Sequence, residues 1–172
     1  MNSAQSGVVL ESLRLPEDPQ ALAELSARFM YDKDAATQGL GISLTRVAPG
    51  CASMQMTVRP DMLNGHQTCH GGFIFALADS TFAFACNSRN QATVASGCTI
   101  DFLAPGLLGD VLTADASEAS LAGRTGVYDI LVTNQDGKRI ALFRGRSYRI
   151  KGTIIDETAG THFESSAGEG NV

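Results

Sequence analysis

Gly71-Gly72-Phe73-Ile74-Phe75-Ala76-Leu77-Ala78-Asp79-Ser80-Thr81-Phe82-Ala83-Phe84-Ala85-Cys86-Asn87 is the stretch on which the fold turns. Its length and composition predict one long helix in which only Asp79, Ser80, Thr81 and the terminal Asn87 are polar. A surface helix carries a single apolar stripe, so a helix that is apolar on nearly every side has to be enclosed. Ser and Thr can bury a hydroxyl by bonding back to the preceding turn, but an ionised Asp in the middle of a buried helix has no such local partner. Asp is also a weak helix-interior former. Either Asp79 is satisfied by a Thr or backbone group of a neighbouring strand, or its carboxylate does chemistry.

What surrounds this helix tells what encloses it. Residues 16–31 place Ala21, Leu22, Leu25, Phe29 and Met30 at helical spacing, with Glu17 and Asp18 near the start, where they favour the helix dipole. Residues 39–48 and 51–59 alternate loosely about Pro49-Gly50 and read as a hairpin. Residues 61–69 are polar and form a loop into the apolar helix. Beyond it, residues 92–103, 110–119, 125–133 and 139–150 are extended runs bounded by Gly, Pro or Asn/Asp clusters. Runs of strands around a segregated helix define an α+β fold, and the short connections favour a meander. Residues 152–172 carry few large apolar groups and read as a mobile tail.

With 172 residues, 44% hydrophobic and 18% charged, the chain fits one globular domain. A net charge of −5 argues against general binding to nucleic acid or to an anionic membrane. Asp79 interrupts the longest apolar run, which falls short of the ~18 residues of a spanning helix. The start, Met1-Asn2-Ser3-Ala4-Gln5-Ser6-Gly7, lacks the basic region and apolar core of a signal peptide, so a cytoplasmic location is expected. Cys51, Cys69, Cys86 and Cys98 contain no CxxC pair and read as reduced thiols. His66, Cys69 and His70 are too few for a dedicated zinc site, which recruits three or four ligands with a recognisable spacing, so neither metal nor cofactor is expected.

On the helix Asp79 shares a face with Gly72, Phe75, Phe82, Ala83 and Cys86. Desolvation there should raise its pKa and make it a better general base. At the helix start the N–H groups of Gly71, Gly72 and Phe73 can point at a developing oxyanion, with the dipole behind them. Gly71 and Asp79 are eight residues apart, about 12 Å along a helix, whereas a base and an oxyanion donor both have to lie within about 3 Å of the reacting groups. One chain cannot bring both to one carbonyl. Two antiparallel helices across a two-fold axis can, so the mechanism requires a homodimer.

Asn64-Gly65, His70-Gly71-Gly72-Phe73 and Leu77-Ala78-Asp79, with Asp101-Phe102-Leu103-Ala104-Pro105 and Gly123-Arg124-Thr125 downstream, resemble the hotdog-fold acyl-CoA thioesterases, most of all the phenylacetic acid degradation (PaaI-type) group. The resemblance covers residues 39–150. It implies a curved antiparallel sheet wrapped around a long central helix, dimers joined edge to edge, commonly a dimer of dimers, and an acyl-CoA substrate with an aryl-acetyl group. Asp79 corresponds to the catalytic carboxylate, as base or as nucleophile, Gly71 to the oxyanion glycine, and Asn64 to the residue positioning thioester or water. His70 matches the motif histidine. Gly72, Ser80 and Thr81 then lie at the acyl site, Ser96 is a candidate for orienting water, and Arg124, Arg144 or Arg146 for holding coenzyme A phosphates. On this reading residues 1–38 are an N-terminal segment with an amphipathic helix, residues 39–151 the hotdog domain and residues 152–172 the tail. A non-catalytic acyl-CoA-binding module and a thioesterase for short or medium acyl chains are the alternatives.

Overall fold

The apolar stretch forms one unbroken helix in the computed structural model, which describes residues 14–156. In chain order the elements are α1 (Pro19–Lys33), α2 (Ala35–Gly39), β1 (Ser43–Ala48), β2 (Cys51–Thr57), a short 3-10 turn (Pro60–Met62), α3 (Gly71–Asn87), β3 (Thr93–Phe102), β4 (Val111–Ala122), β5 (Thr125–Thr133) and β6 (Arg139–Arg149). All pairings are antiparallel, the six strands lie in the order β1-β2-β4-β5-β6-β3, and α3 touches every one of them. This is the expected α+β arrangement.

The meander holds only for β4, β5 and β6. β3 crosses to the far edge of the sheet and pairs with β6 alone. Its position follows from the helix, which fills the concave face after β2 and obliges the chain to return on the other side. That leaves β1 and β3 as the edge strands. Gly50, at φ +78°, closes the two-residue turn between Ala48 and Cys51, a conformation that glycine adopts without strain. Gly145 is required for another reason: a Cβ there would stand 2.8 Å from the Phe82 ring, so its absence lets the helix lie close on β6.

The core joins Ile74, Leu77, Ala78, Phe82 and Ala85 of α3 to Met54, Met56, Leu112, Ile130, Val132 and Phe143 of the strands, all buried. α1 starts at Pro19 rather than Pro16 because Asp18 caps it, accepting from Ala21 N–H at 2.8 Å, with Pro19 in the first turn. Its Gln20 and Tyr31 side chains tie it to β1 and to the chain before it through Val47 O and Ile42 O. The first strand begins at Ser43 rather than at residue 39: Gly39 ends α2, a short helix capped by Asp34 and not expected from the sequence, and residues 40–42 form a turn between the two.

The start of the expected tail is anchored. Ile155 is buried, and its backbone N–H and C=O both bond the Asn90 side chain, at 2.8 and 3.4 Å. Residues 157–172, and with them the rest of the tail reading, lie outside the described residues.

Candidate active site

The loop before α3 is closed by one asparagine. Asn64 Oδ1 accepts from His66 N–H at 2.9 Å and Thr68 N–H at 3.3 Å, while Nδ2 donates to Thr68 Oγ1 at 3.1 Å. Most of the amide is thus engaged within the loop, and one Nδ2 hydrogen is left for a ligand. His70 caps α3: its Nδ1 accepts from Gly72 N–H at 3.0 Å, which places the neutral ring's proton on Nε2. Phe73 N–H bonds His70 O at 2.9 Å. Of the three amides expected to face an oxyanion, Gly72 and Phe73 are therefore taken. Gly71 alone has no partner among the described residues.

Gly71 also lies against a ring. A Cβ on it would stand 2.9 Å from Phe102 Cζ, so glycine lets the backbone lie in the wall of a cleft of about 520 Å3. That cleft runs between the Asn64 loop and residues 102–105, with Ile74 and Cys69 among its lining. Burial pushes the Cys69 thiol up to about 11, with the Asp110 charge adding to the effect, so at neutral pH it is a neutral wall and no nucleophile.

Asp79 is half-buried, and among the described residues its carboxylate takes part in no hydrogen bond or ion pair. Desolvation raises its pKa above the ordinary carboxylate value. Burial, and to a lesser degree the Asp79 charge, push the neighbouring Cys86 thiol up to about 12. The internal compensation by a Thr or a strand amide is not what the protomer shows. Thr81, expected at the acyl site, is fully buried and bonds Leu77 O at 2.7 Å, so it is spent inside the core. Ser80 meets Thr37 Oγ1 at 3.0 Å.

Gly71 packs on Phe102 at one end of α3, and Asn87 Nδ2 reaches Thr93 O, 2.9 Å away, at the other. Helix and edge strand therefore run antiparallel, and Asp79, eight residues from either helix end, lies level with the middle of β3, near Gly97 and Cys98. Ser96 sits there in a β-bulge, its Oγ donating to Arg146 O at 3.1 Å. With its proton spent, Ser96 offers lone pairs only.

The arginines divide. Arg144 is bound to Asp129 through two bonds of 2.6 and 2.9 Å, which argues against a phosphate role. Arg146 lies over Gly97, and no carboxylate among the described residues pairs with it. Arg124 is fixed by Nε to Arg149 O at 3.1 Å, with its guanidinium 5.1 Å from the Tyr148 ring centre. It shares a crevice with Cys86 and Thr93, at the end of α3 opposite Gly71. Among the described residues no group of three or more His, Cys, Asp or Glu is arranged to hold a metal ion, and no helix is long and apolar enough to cross a membrane. The Thr37–Ser80 contact escaped sequence reading because α2 did.

A long helix packed against all six strands of one antiparallel sheet defines a hotdog fold. Residues 66–141 match the thioesterase superfamily. The chain is 54% identical over 132 residues to the acyl-coenzyme A thioesterase PaaI of Escherichia coli (strain K12), a match spanning 77% of this chain and 94% of that protein. The solved structure of the E. coli PaaI protein from the phenylacetic acid degradation operon superposes with a TM-score of 0.78 at 52% identity, over 79% of this chain and 99% of that one. A Streptococcus mutans UA159 protein solved bound to acetyl CoA matches at 27% identity and a TM-score of 0.62, over 65% of this chain and 90% of that one. The chain belongs to the thioesterase superfamily.

Proposed function

We propose that the protein is an acyl-CoA thioesterase of phenylacetate degradation, hydrolysing phenylacetyl-CoA or hydroxyphenylacetyl-CoA to the free acid and coenzyme A. The observation that carries the reading is Asp79, a half-buried carboxylate with a raised pKa and no partner among the described residues. The acyl-coenzyme A thioesterase activity of the E. coli relative supports the thioester, and its phenylacetic acid degradation operon supports the acyl class.

Water attacks the thioester carbonyl. Asp79 of one subunit takes its proton, or attacks directly to form an anhydride that water then opens, and the N–H of Gly71 in the other subunit donates to the oxyanion; as the oxyanion collapses the C–S bond breaks, and coenzyme A leaves as a thiolate that takes up the proton released by the water. Ser96, limited to accepting, receives a hydrogen bond from the water's other O–H, which stays on the attacking oxygen, and so aims the lone pair. His70 offers Nε2–H, and Asn64 its remaining Nδ2 hydrogen, to the thioester. No metal or redox group enters, and coenzyme A is part of the substrate.

The free edge of β3 joins a second copy, and two such dimers form a tetramer. For Asp79 of one subunit to meet Gly71 of the other, the two-fold axis has to pass midway between them on α3, at Phe75, which corresponds to Ile100 on β3. Arg124 is the arginine best placed for the coenzyme A phosphates, and residues 39–151 form the thioesterase unit, working in the cytoplasm. The acetyl CoA held by the S. mutans relative favours a second reading, a preference for short acyl chains.

A hydrolysis screen over short, medium and aromatic acyl-CoAs, read by release of free thiol, tests the assignment. The highest kcat/KM is expected for an aryl-acetyl-CoA. A short-chain optimum would favour the second reading, and no thiol release would leave only a binding module.

A further inference from the structure

The outer face of edge strand β3 carries one acid among small residues. In the register with β6, Gly97 stands opposite Arg146, Thr99 opposite Arg144 and Asp101 opposite Leu142. Residues paired in this way share a face of the sheet. On the other face Cys98 and Ile100 pack against the core and Phe102 covers Gly71. Gly97, Thr99 and Asp101 therefore look outward, beside Leu142, Arg144 and Arg146.

Further in on this face the charges are paired. Arg144 holds Asp129 at 2.6 and 2.9 Å, and Arg46 lies 3.9 Å from Asp115. At the edge they are not: Asp101 and Arg146 are exposed, and among the described residues neither side chain takes part in a hydrogen bond or ion pair. The Arg146 guanidinium crosses β3 at Gly97, where a Cβ would stand 3.0 Å from Nη2. Gly97 thus lets the long side chain lie flat over the last strand and bring its charge to the open edge of the sheet. Asp101 is four residues further along, about 13 Å at 3.3 Å per residue, too far for the two to meet within one chain.

We propose that Arg146 of one subunit pairs with the partner's Asp101 across the β3 edge, so that two symmetry-related ion pairs position the dimer on which the composite site depends. The inference rests on the β3 dimer of the thioesterase reading. With the two-fold axis at Ile100, Thr99 stands opposite the partner's Asp101, and Gly97, under the guanidinium, is one diagonal step from it, about 7–8 Å and within reach of a long side chain. The axis repeats the contact in reverse. Moving the axis by one residue would slide the strands by two, about 6.6 Å, and leave every side chain on its own face, so the hydrophobic pattern alone does not forbid it. Such a slide would carry Asp79 out of the ~3 Å reach that a base needs. An axis at Asp101 would set the two carboxylates directly opposite each other, a repulsive pairing that the diagonal contact with Arg146 avoids. Arg146 and Asp101 are positioning residues, acting through the register of the two chains.

The test uses two charge reversals. Arg146→Asp and Asp101→Arg each set like charges against one another at both contacts of their own dimer. Mixed together, the two variants make both contacts attractive. Co-expressed in equal amounts, they should assemble with the two chains in equal number in about nine assemblies out of ten, as dimers or as tetramers, when read by native mass spectrometry. Alone, each variant should dissociate at a concentration about tenfold or more above that of the unmodified chain, and thiol release from phenylacetyl-CoA should fall in step. Both changes in one chain exchange the charges and should restore association and turnover. A pair formed within one chain would be rescued by that double variant but not by the mixture. Where a single variant does not fold alone, the mixture and the double variant decide. If the unmodified chain assembles but turns over no acyl-CoA, the thioesterase reading fails by itself, and the composition of the mixture, which needs no activity, still decides the pair. A monomeric unmodified chain, random mixing of the variants, or single variants that associate as tightly as the unmodified chain would overturn it.

Discussion

At the C-terminal end of α3 four consecutive side chains are bonded into the structure, while its N-terminal end leaves a backbone donor open. Asn87 and Thr93 exchange two bonds of 2.9 Å, and Ser88 Oγ donates to Ala85 O and accepts from Gly50 N–H, both at 2.8 Å. Arg89 grips Glu118 at 2.6 and 3.2 Å, Tyr128 adds a third bond to the same carboxylate at 2.9 Å, and Asn90 holds Ile155. At the other end His70 caps its own helix and Gly71 N–H faces a cleft. Midway along, Asp79 has no partner among the described residues. Buried polar groups are almost always paired, so the unpaired groups on this helix mark where a ligand or a second chain enters, and the paired ones mark what holds the fold.

The largest expected effect breaks the open side of that contrast. Asp79→Asn should lower kcat by about 100-fold or more, the usual scale for a positioned base, with little change in acyl-CoA affinity. Near-normal turnover in steady-state assays would remove Asp79 from the mechanism. Gly71→Pro should be comparably inactive, since it deletes the one free amide. The Cβ it introduces meets only the far end of the half-exposed Phe102 ring, which can move aside. Because α3 is continuous and the proposed base and oxyanion donor on it are about 12 Å apart, these variants should complement each other. In the isolated heterodimer one site collects both defects and the other none, so activity should return to about half that of the unmodified dimer. A folded heterodimer as inactive as its parents would show that base and oxyanion donor come from one chain.

Much of this contrast is legible in the sequence, and unevenly so. The bounds of the helix over residues 71–87 are readable because apolar content, glycine start and polar end all agree there. The later strands follow from their Gly, Pro and Asn/Asp boundaries. What the residues could not show is pairing across long separations: β3 lies beside β6 because the sheet has to return past a helix that fills it. α2 is too short to announce itself by periodicity, and it hid the Thr37–Ser80 contact. Its position after Asp79 suggests the acyl site for Thr81, but a helix turns about 100° per residue, and two positions on, Thr81 faces the core. The loss of two of the three candidate donors depends on His70 Nδ1 and His70 O, a local geometry that spacing does not reveal.

A smaller effect probes the closed end. Burial pushes the Glu118 carboxyl up, but the hydrogen bonds from Arg89 and Tyr128 outweigh it and hold the pKa below the ordinary value. Glu118→Gln keeps the shape and removes the charge that balances Arg89, a loss of about 1–3 kcal/mol in folding stability for a charged, partly buried network. Urea denaturation should register that loss while kcat is unchanged. A fall in kcat without a fall in stability would mean that the closed end also takes part in the reaction.

The smallest expected effect concerns the sign of Asp79's own contribution to stability. Its folded-state pKa is raised above the ordinary 3.8 by desolvation, so between those two values the folded chain binds more protons than the unfolded one. Stability from this group is therefore lost as pH rises through that window, and the loss persists above it. Asparagine does not titrate. Asp79→Asn should then gain Tm relative to the unmodified chain as pH rises from below the ordinary carboxylate value to neutrality, while kcat/KM of the unmodified enzyme rises through the same window as the base ionises. Stability and activity would then change in opposite directions at one side chain, as expected where an acid is kept uncompensated for use. A Tm difference independent of pH, or one favouring Asp at neutrality, would mean that a group from a second subunit stabilises the carboxylate in the assembled protein, and Asp79 would move to the paired side of the contrast.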